Sequence, residues 1–558
     1  MISFNTMNHP IINNLSPHSG RESPKRAPGV IHIKRLLLTL ASSAWLSCPA
    51  HAETFYLNSL NGKDSNTGQA SDQAWKSLSK ANTNQLKPGD SLVLNRGGRF
   101  EGGLALTLEG TAEKPITIAT YGEGHAPIID AKGFIAGVYL KNSHHVIVKD
   151  LEITADGGET RDGSKPGFRY GVYVQSNQGS TSHVTIENLT IYKIYPEIPT
   201  KSEGKNPTTY LGSAIAIEGE EEKPSSAFVV RGCRIAETGY KAVSLSRIQD
   251  VQVLDNQMKD IGGPAIQPGR VEDLIVRGNV VDRSGSGLDP RMHARGSGIW
   301  PWTCKRVLIE KNKFMHARGK GDSCGIHIDY NCSDVVVQYN LSVDNEGGFA
   351  EILGKNHNCA YRYNISINDG SRVKNQNGAQ QEGKILMTSG FVGGGKSKEG
   401  PYNSYIYNNT IFVKENSRSC FSIAPSTQGL LVANNIFHIL GTTVNVLDDQ
   451  DKRKDKLTAK IPRSFARNNI YSSASVLPKN IPFKDTNMIV GDVGFSKPGG
   501  TEASDYIPQN TKLIKDQGIE IPILRDDANG LKIGLKATKD FFGNPIIGNP
   551  DIGAIEIN

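Results

Sequence analysis

No two cysteines form a CxxC pair. No stretch beyond residue 52 reaches the ~20 consecutive apolar residues of a membrane span. No strong excess of either charge marks the chain. The first lack argues against a zinc site, the second against a membrane partner, and the third against nucleic acid. The formal net charge is +7, and residues 1–52 hold five Lys/Arg and one Glu of it, which leaves the rest near +3. With 59 Gly and 27 Pro in 558 residues, and Asn frequent, the composition does not suit a helical protein. A hydrophobic share of 37% is still ample for a large core.

Residues 1–52 read as export machinery. Lys34 and Arg35 form a basic region, Leu36 to Leu46 an apolar one, and Ala50-His51-Ala52 a small-x-small cleavage site. Cys48 follows Leu46-Ser47, a poor lipidation signal, so the exported chain is expected to begin at Glu53, in the periplasm or secreted. Six cysteines remain: Cys233, Cys304, Cys324, Cys332, Cys359 and Cys420. An exported chain permits disulfides; buried stacked thiols are the alternative.

Residues 53–135 open the fold as a cap with the first coils. Thr54–Leu57, Ser91–Leu94, Leu104–Thr107 and Ile116–Ile118 read as short strands, and Ser77 to Gln85 as a short helix. From 136 to 480 one pattern recurs: a short alternating strand that usually ends in Asn. It ends at Asp150, Asn188, Cys233, Asn256, Asn279, Asn312, Asn340, Asn364, Asn409, Asn435 and Asn469. Where no loop intervenes, the spacing is 23 to 28 residues. A period of this size, with short strands and no helix, marks a parallel β-solenoid. The expected fold is therefore all-β: a single-stranded, right-handed parallel β-helix of the pectate-lyase kind. Its asparagines should stack as a ladder at one corner. Residues 481–558 are expected to cap it, with Asp540–Pro545 and Pro550–Glu556 as a closing strand pair. No linker or second catalytic domain is visible.

Chemistry concentrates between Gly325 and Asn364. His327-Ile328-Asp329 is followed 22 positions later by Phe349-Ala350-Glu351, each near glycine and each followed by an Asn-bearing strand. Ile326 and Ile328 should point inward, so His327 and Asp329 point out. If Glu351 holds the same place one coil on, the carboxylates are ~4.8 Å apart, close to the ~5–5.5 Å of retaining glycosidases. His327 would then hold Asp329 ionised, while the apolar setting of Glu351 would raise its pKa. The outward column read backwards gives Trp300, Trp302, Gln267, Ser246 and Glu218. Arg270, His293, Arg295 and Lys384 flank it. Aromatic platforms among polar groups suit a sugar ring.

This coil, with an Asp in one rung and a Glu in the next, resembles the β-helical β-xylosidases of glycoside hydrolase family 120. The resemblance covers some 40 residues and implies Asp329 as nucleophile and Glu351 as acid/base. The chain departs from that family in three ways: His327 replaces a Trp, the interval is one residue shorter, and Ile352-Leu353-Gly354 follows the Glu in place of a His-Gly turn. The Asp64-to-Trp75 opening and the Pro550-to-Ala554 ending resemble a wider group of exported β-helix carbohydrate enzymes, lyases included.

Three functions compete. A retaining glycoside hydrolase on a polysaccharide or its oligosaccharides fits the carboxylates. A polysaccharide lyase would use Lys384 or Arg270 as base, with calcium or basic side chains to neutralise a uronate; no tight run of acidic calcium ligands is present. An adhesin would be longer and more regular. The hydrolase needs no cofactor, and the chain is expected to act as a monomer.

Overall fold

The recurring asparagines do build a ladder. In the computed structural model, which describes residues 51–163, 167–197, 211–447 and 460–557, the described strands form three parallel sheets of 18, 14 and 4 strands. The expected signal segment lies outside the described residues, apart from its last two. Each coil turns one corner at the ladder. The residue before each ladder position, from Gly232 and Asp255 to Tyr363, Asn434 and Asn468, takes a positive φ that bends the chain from one sheet to the next. For a non-glycine residue that conformation is costly, and the hydrogen bonds beside it offset the cost.

Those bonds run from coil to coil. The backbone N–H and Nδ2 of Asn340 both donate to Asn364 Oδ1, at 2.9 and 3.0 Å, and Nδ2 also donates to the Ile309 carbonyl at 2.8 Å. The same geometry links Asn256, Asn279, Asn312, Asn340, Asn364, Asn409, Asn435 and Asn469. Asp485 accepts the last amide at 2.7 Å, and Cys233 starts the run by donating its N–H to Asn256. Asp150 and Asn188 are not members. The register Thr190–Arg234 places Leu189 at the ladder position, one residue further on. Asn340→Ala strips the acceptor from two Asn312 donors and the donor from a buried carbonyl. At ~1–3 kcal/mol per unsatisfied buried group, the loss should be on the order of 3 kcal/mol, read as a lower midpoint of chemical unfolding.

The core fills the coil interior with Ile, Val and Leu from every rung. Cys233, Cys304, Cys332 and Cys359 join it as buried free thiols. No helix among the described residues is long and apolar enough to cross a membrane. The expected helix near Ser77 forms over Leu78–Ala81, capped by Ser77.

The C-terminal segment departs from expectation. Neither Asp540–Pro545 nor Pro550–Glu556 forms a strand; Lys539 and Pro545 make one isolated antiparallel bridge. Leu524, Leu531 and Ala537 instead lie along the outside of the coils, on Val336, Ala360, Tyr405 and Leu431. Those outward side chains are apolar, so the segment covers a face that water would otherwise meet. Burial pushes the Glu556 carboxyl up to about 7, helped by the charges of Asp551 and Asp540. Its folded pKa is raised, so the folded chain keeps a proton that the unfolded chain has released, and stability falls as pH rises from about 4.5 towards 7. Glu556→Gln should therefore melt higher than the wild type at pH 8 and with it at pH 4, by calorimetry.

Candidate active site

One irregular rung carries the site. Cys324, Ile326 and Ile328 make isolated parallel bridges to Gly348, Ile299 and Ile352 rather than a continuous strand. Ile326 and Ile328 are buried in the core, so His327 and Asp329 face outward by alternation. The same bridges fix the register. Cys324 is level with Gly348 and Ile328 with Ile352, so Glu351 is level with His327 and not with Asp329. The expected level pair is therefore diagonal, because the offset across this coil is two residues longer than the two acid-bearing lines suggest. Diagonal neighbours lie roughly 7–8 Å apart, not the ~4.8 Å of one coil step.

Two outer columns meet here. Gln267, Trp300, His327 and Glu351 form one; Glu218, Ser246, Gly269, Trp302 and Asp329 form the other. The Trp300 and His327 rings stack with centroids 4.8 Å apart. Trp300 Nε1 donates to Asp329 Oδ2 at 2.8 Å, and the Tyr330 backbone N–H donates to Oδ1 at 2.8 Å. The imidazole then presents an edge to each carboxylate, with Nε2 4.0 Å from Asp329 Oδ1 and Nδ1 3.6 Å from Glu351 Oε2. His327 is 1% exposed, and neither ring nitrogen has a hydrogen-bond partner among the described residues. Unpartnered buried groups are costly and rare.

A third carboxylate, Asp322, joins them. Its turn has positive φ at both Asp322 and Ser323, and in sequence it reads as a surface Gly-Asp-Ser bend. Asp322 N–H donates to Gln381 Oε1 at 2.9 Å, and its carboxylate pairs with Arg295. Burial works to raise the Asp322 pKa, but Arg295 and His327 outweigh it and hold the group below its ordinary value. Asp329 goes the other way. Burial raises it, against His327 and its two N–H donors, and the charge of Asp322 adds to the rise. The structure thus does not keep the Asp329 carboxyl low, as its place beside His327 suggests. The Cys324 thiol donates to Glu351 Oε2 at 2.7 Å, and burial keeps it protonated.

The other predicted residues divide. Arg295 and His293 join the cluster; burial lowers the His293 pKa to about 4, so its ring is neutral. The Trp302 indole packs against Gly269, where a Cβ would come within 2.4 Å of the ring. Arg270 sits 5.4 Å above Trp302 and pairs with exposed Glu221 at 2.9 Å. Gln267 is one coil step from Trp300. Glu218 accepts from the Tyr173 hydroxyl at 2.8 Å, and four coil steps, ~19 Å, separate it from Asp329. A polar cavity bordered by Gln175, Glu218, Arg247 and Arg270 continues the face in that direction. Lys384 is level with Gly348, buried, and donates to the Glu382 carbonyl at 3.1 Å. Two partly exposed aromatics beside Asp329 escape sequence reasoning: Tyr330 and Phe391, whose rings meet edge to face at 6.1 Å. Among the described residues, no group of three His, Cys, Asp or Glu is placed to hold a metal.

No protein-family model matches the chain. A curated lacto-N-biosidase of Bifidobacterium longum subsp. longum is 24% identical over 90% of this chain and 36% of its own length. The chain thus spans about a third of that relative. Among solved structures, the GH136 lacto-N-biosidase from Eubacterium ramulus is similar at 21% identity and a TM-score of 0.48, over 78% of this chain and 68% of that one. XylC in complex with xylose is similar at 11% identity and a TM-score of 0.48, over 90% and 98%.

Proposed function

We propose that this chain is a glycoside hydrolase that cleaves an oligosaccharide with retention of configuration. The observation that carries the reading is Asp329. Both its oxygens accept fixed N–H bonds, which orient the carboxylate as an acceptor and offset part of the burial that raises its pKa. At 8% exposure the carboxylate is weakly solvated when charged, and so reactive. Asp329 attacks the anomeric carbon, the leaving oxygen departs with a proton from an acid, and water then hydrolyses the glycosyl ester.

Asp322 is the acid we favour, because it is a buried carboxylate at this cluster, paired with Arg295 and with its charge acting on Asp329. Its low pKa depends on Arg295, whose side chain is 39% exposed. A substrate that draws Arg295 away leaves burial to raise the Asp322 pKa and make it a proton donor. Glu351 is the second reading, favoured by its contact with His327. At the diagonal spacing it would suit an inverting reaction, whose carboxyls lie ~6.5–9.5 Å apart. The similarity to a lacto-N-biosidase supports a glycosidic substrate, and lacto-N-biosides are the first to try. Product analysis on neutral and uronate glycans tests the reading. New reducing ends with the first-formed anomer retained, by proton NMR, are expected. A 4,5-unsaturated end absorbing in the ultraviolet would replace it with a lyase.

A further inference from the structure

Two aromatic rings press against glycines of an adjacent coil, at opposite edges of this face. Trp302 lies on Gly269 at the edge that carries Asp329. Tyr240 lies on Gly263, where a Cβ would come within 2.5 Å of Cδ2 and 2.8 Å of Cε2. Tyr240 precedes its rung at the level of Ser323, and Arg295 and Asp322 precede theirs one position earlier, so all three lie at the other edge. The loop carrying His293 and Arg295 folds back to join them. His293 N–H donates to the Gly239 carbonyl at 2.9 Å and Arg295 N–H to that of Gly262 at 3.2 Å. The His293 ring meets Tyr240 edge on at 5.2 Å. Lys241 Nζ stands 4.9 Å from the Tyr240 ring centre and donates to Ser244 Oγ at 3.2 Å. The charges of Arg295 and Asp322 both act on Tyr240. A partly exposed tyrosine held against a glycine, with an ammonium over its ring and a neutral imidazole edge-on to it, has the make-up of a sugar platform.

We propose that Tyr240, with Lys241 and His293, forms a subsite for the uncharged sugar on the leaving-group side of the cleaved bond. The inference rests on the hydrolase reading, and on the acid lying at this edge. The leaving sugar must depart from the side of its proton donor, which places it by Asp322 and Arg295. The same platform holds an acceptor sugar in the reverse step. There the acceptor hydroxyl oxygen bonds to the anomeric carbon, the ester bond to Asp329 breaks, and the hydroxyl proton passes to Asp322.

Partitioning tests it. With 4-nitrophenyl β-lacto-N-bioside, or whichever aryl glycoside in a panel is cleaved, and added glucose, galactose, xylose or N-acetylglucosamine, transfer and hydrolysis products are measured together. Tyr240→Ala should lower the transfer-to-hydrolysis ratio by tenfold or more, and Tyr240→Phe should restore most of it. A merely structural Tyr240 would lower both products and leave the ratio fixed, and that result overturns the proposal. If no glycoside is cleaved, the hydrolase reading fails on its own, and binding still decides the platform. Saturation-transfer NMR of the same four sugars should give signals with the full chain that vanish in Tyr240→Ala. No signal from any of them at tens of millimolar would overturn it.

Discussion

Asp329→Asn should lower turnover by on the order of 10⁴-fold or more, which is ~5.4 kcal/mol of barrier. Neither a good nor a poor leaving group should escape the loss, because the side chain that forms the bond is gone from both. Asparagine keeps the size and the carbonyl oxygen, so the Tyr330 N–H retains an acceptor and the rung should keep its shape. Azide should partly rescue Asp329→Ala and give a glycosyl azide of inverted configuration, since the small anion fills the space of the carboxylate. The check is the rate of aryl release with and without azide, together with NMR of the product. Near-normal turnover in Asp329→Asn, with activity lost in Lys384→Ala or Arg270→Ala, would instead favour a lyase.

The second large effect separates Asp322 from Glu351. Loss of a general acid costs typically 10²–10⁴-fold, and the cost falls on substrates whose leaving oxygen needs a proton. Asp322→Asn should therefore lose about that much on an oligosaccharide while releasing 4-nitrophenol from an activated glycoside at nearly its normal first-step rate. Glu351→Gln should lose less and show no such dependence on the leaving group. It keeps an oxygen for Cys324, and its loss acts through the setting of His327. If the leaving-group dependence appears in Glu351→Gln instead, the acid is Glu351, and the product should then be inverted.

The fold was legible because its signal is a repeat. Asparagines at 23- to 28-residue spacing have one economical use, a ladder, and the strands follow from it. Asp150 and Asn188 mislead because their turns place them one residue before the ladder position, which Leu151 and Leu189 fill. The C-terminal strap was not legible, because the surface it covers is the outer face of Val336, Ala360 and Tyr405. Alternation assigns such residues to a sheet and does not say what lies above them. The outward facing of Asp329 was legible from two isoleucines that alternate with it. Its level relative to Glu351 was not. The rung from Cys324 to Asp329 pairs only through isolated bridges, so equal phrasing of the two lines does not fix their register. Asp322 was hidden for another reason. It sits in a turn, and Arg295 and Gln381, 27 residues before it and 59 after it, bring it to the site. Tyr240 owes its placement to a glycine 23 residues on, which no local pattern reveals.

The covalent step is the centre of this account, and one measurement reaches it directly. The chain would be incubated with a 5-fluoro glycosyl fluoride of the sugar that the substrate panel identifies, digested, and its peptides weighed by mass spectrometry. The account predicts one glycosyl adduct, on the peptide that holds Asp329 and on that carboxylate, absent from Asp329→Asn. A chain that turns over the parent glycoside with inversion and carries no adduct, or carries it on Asp322 or Glu351, would contradict it.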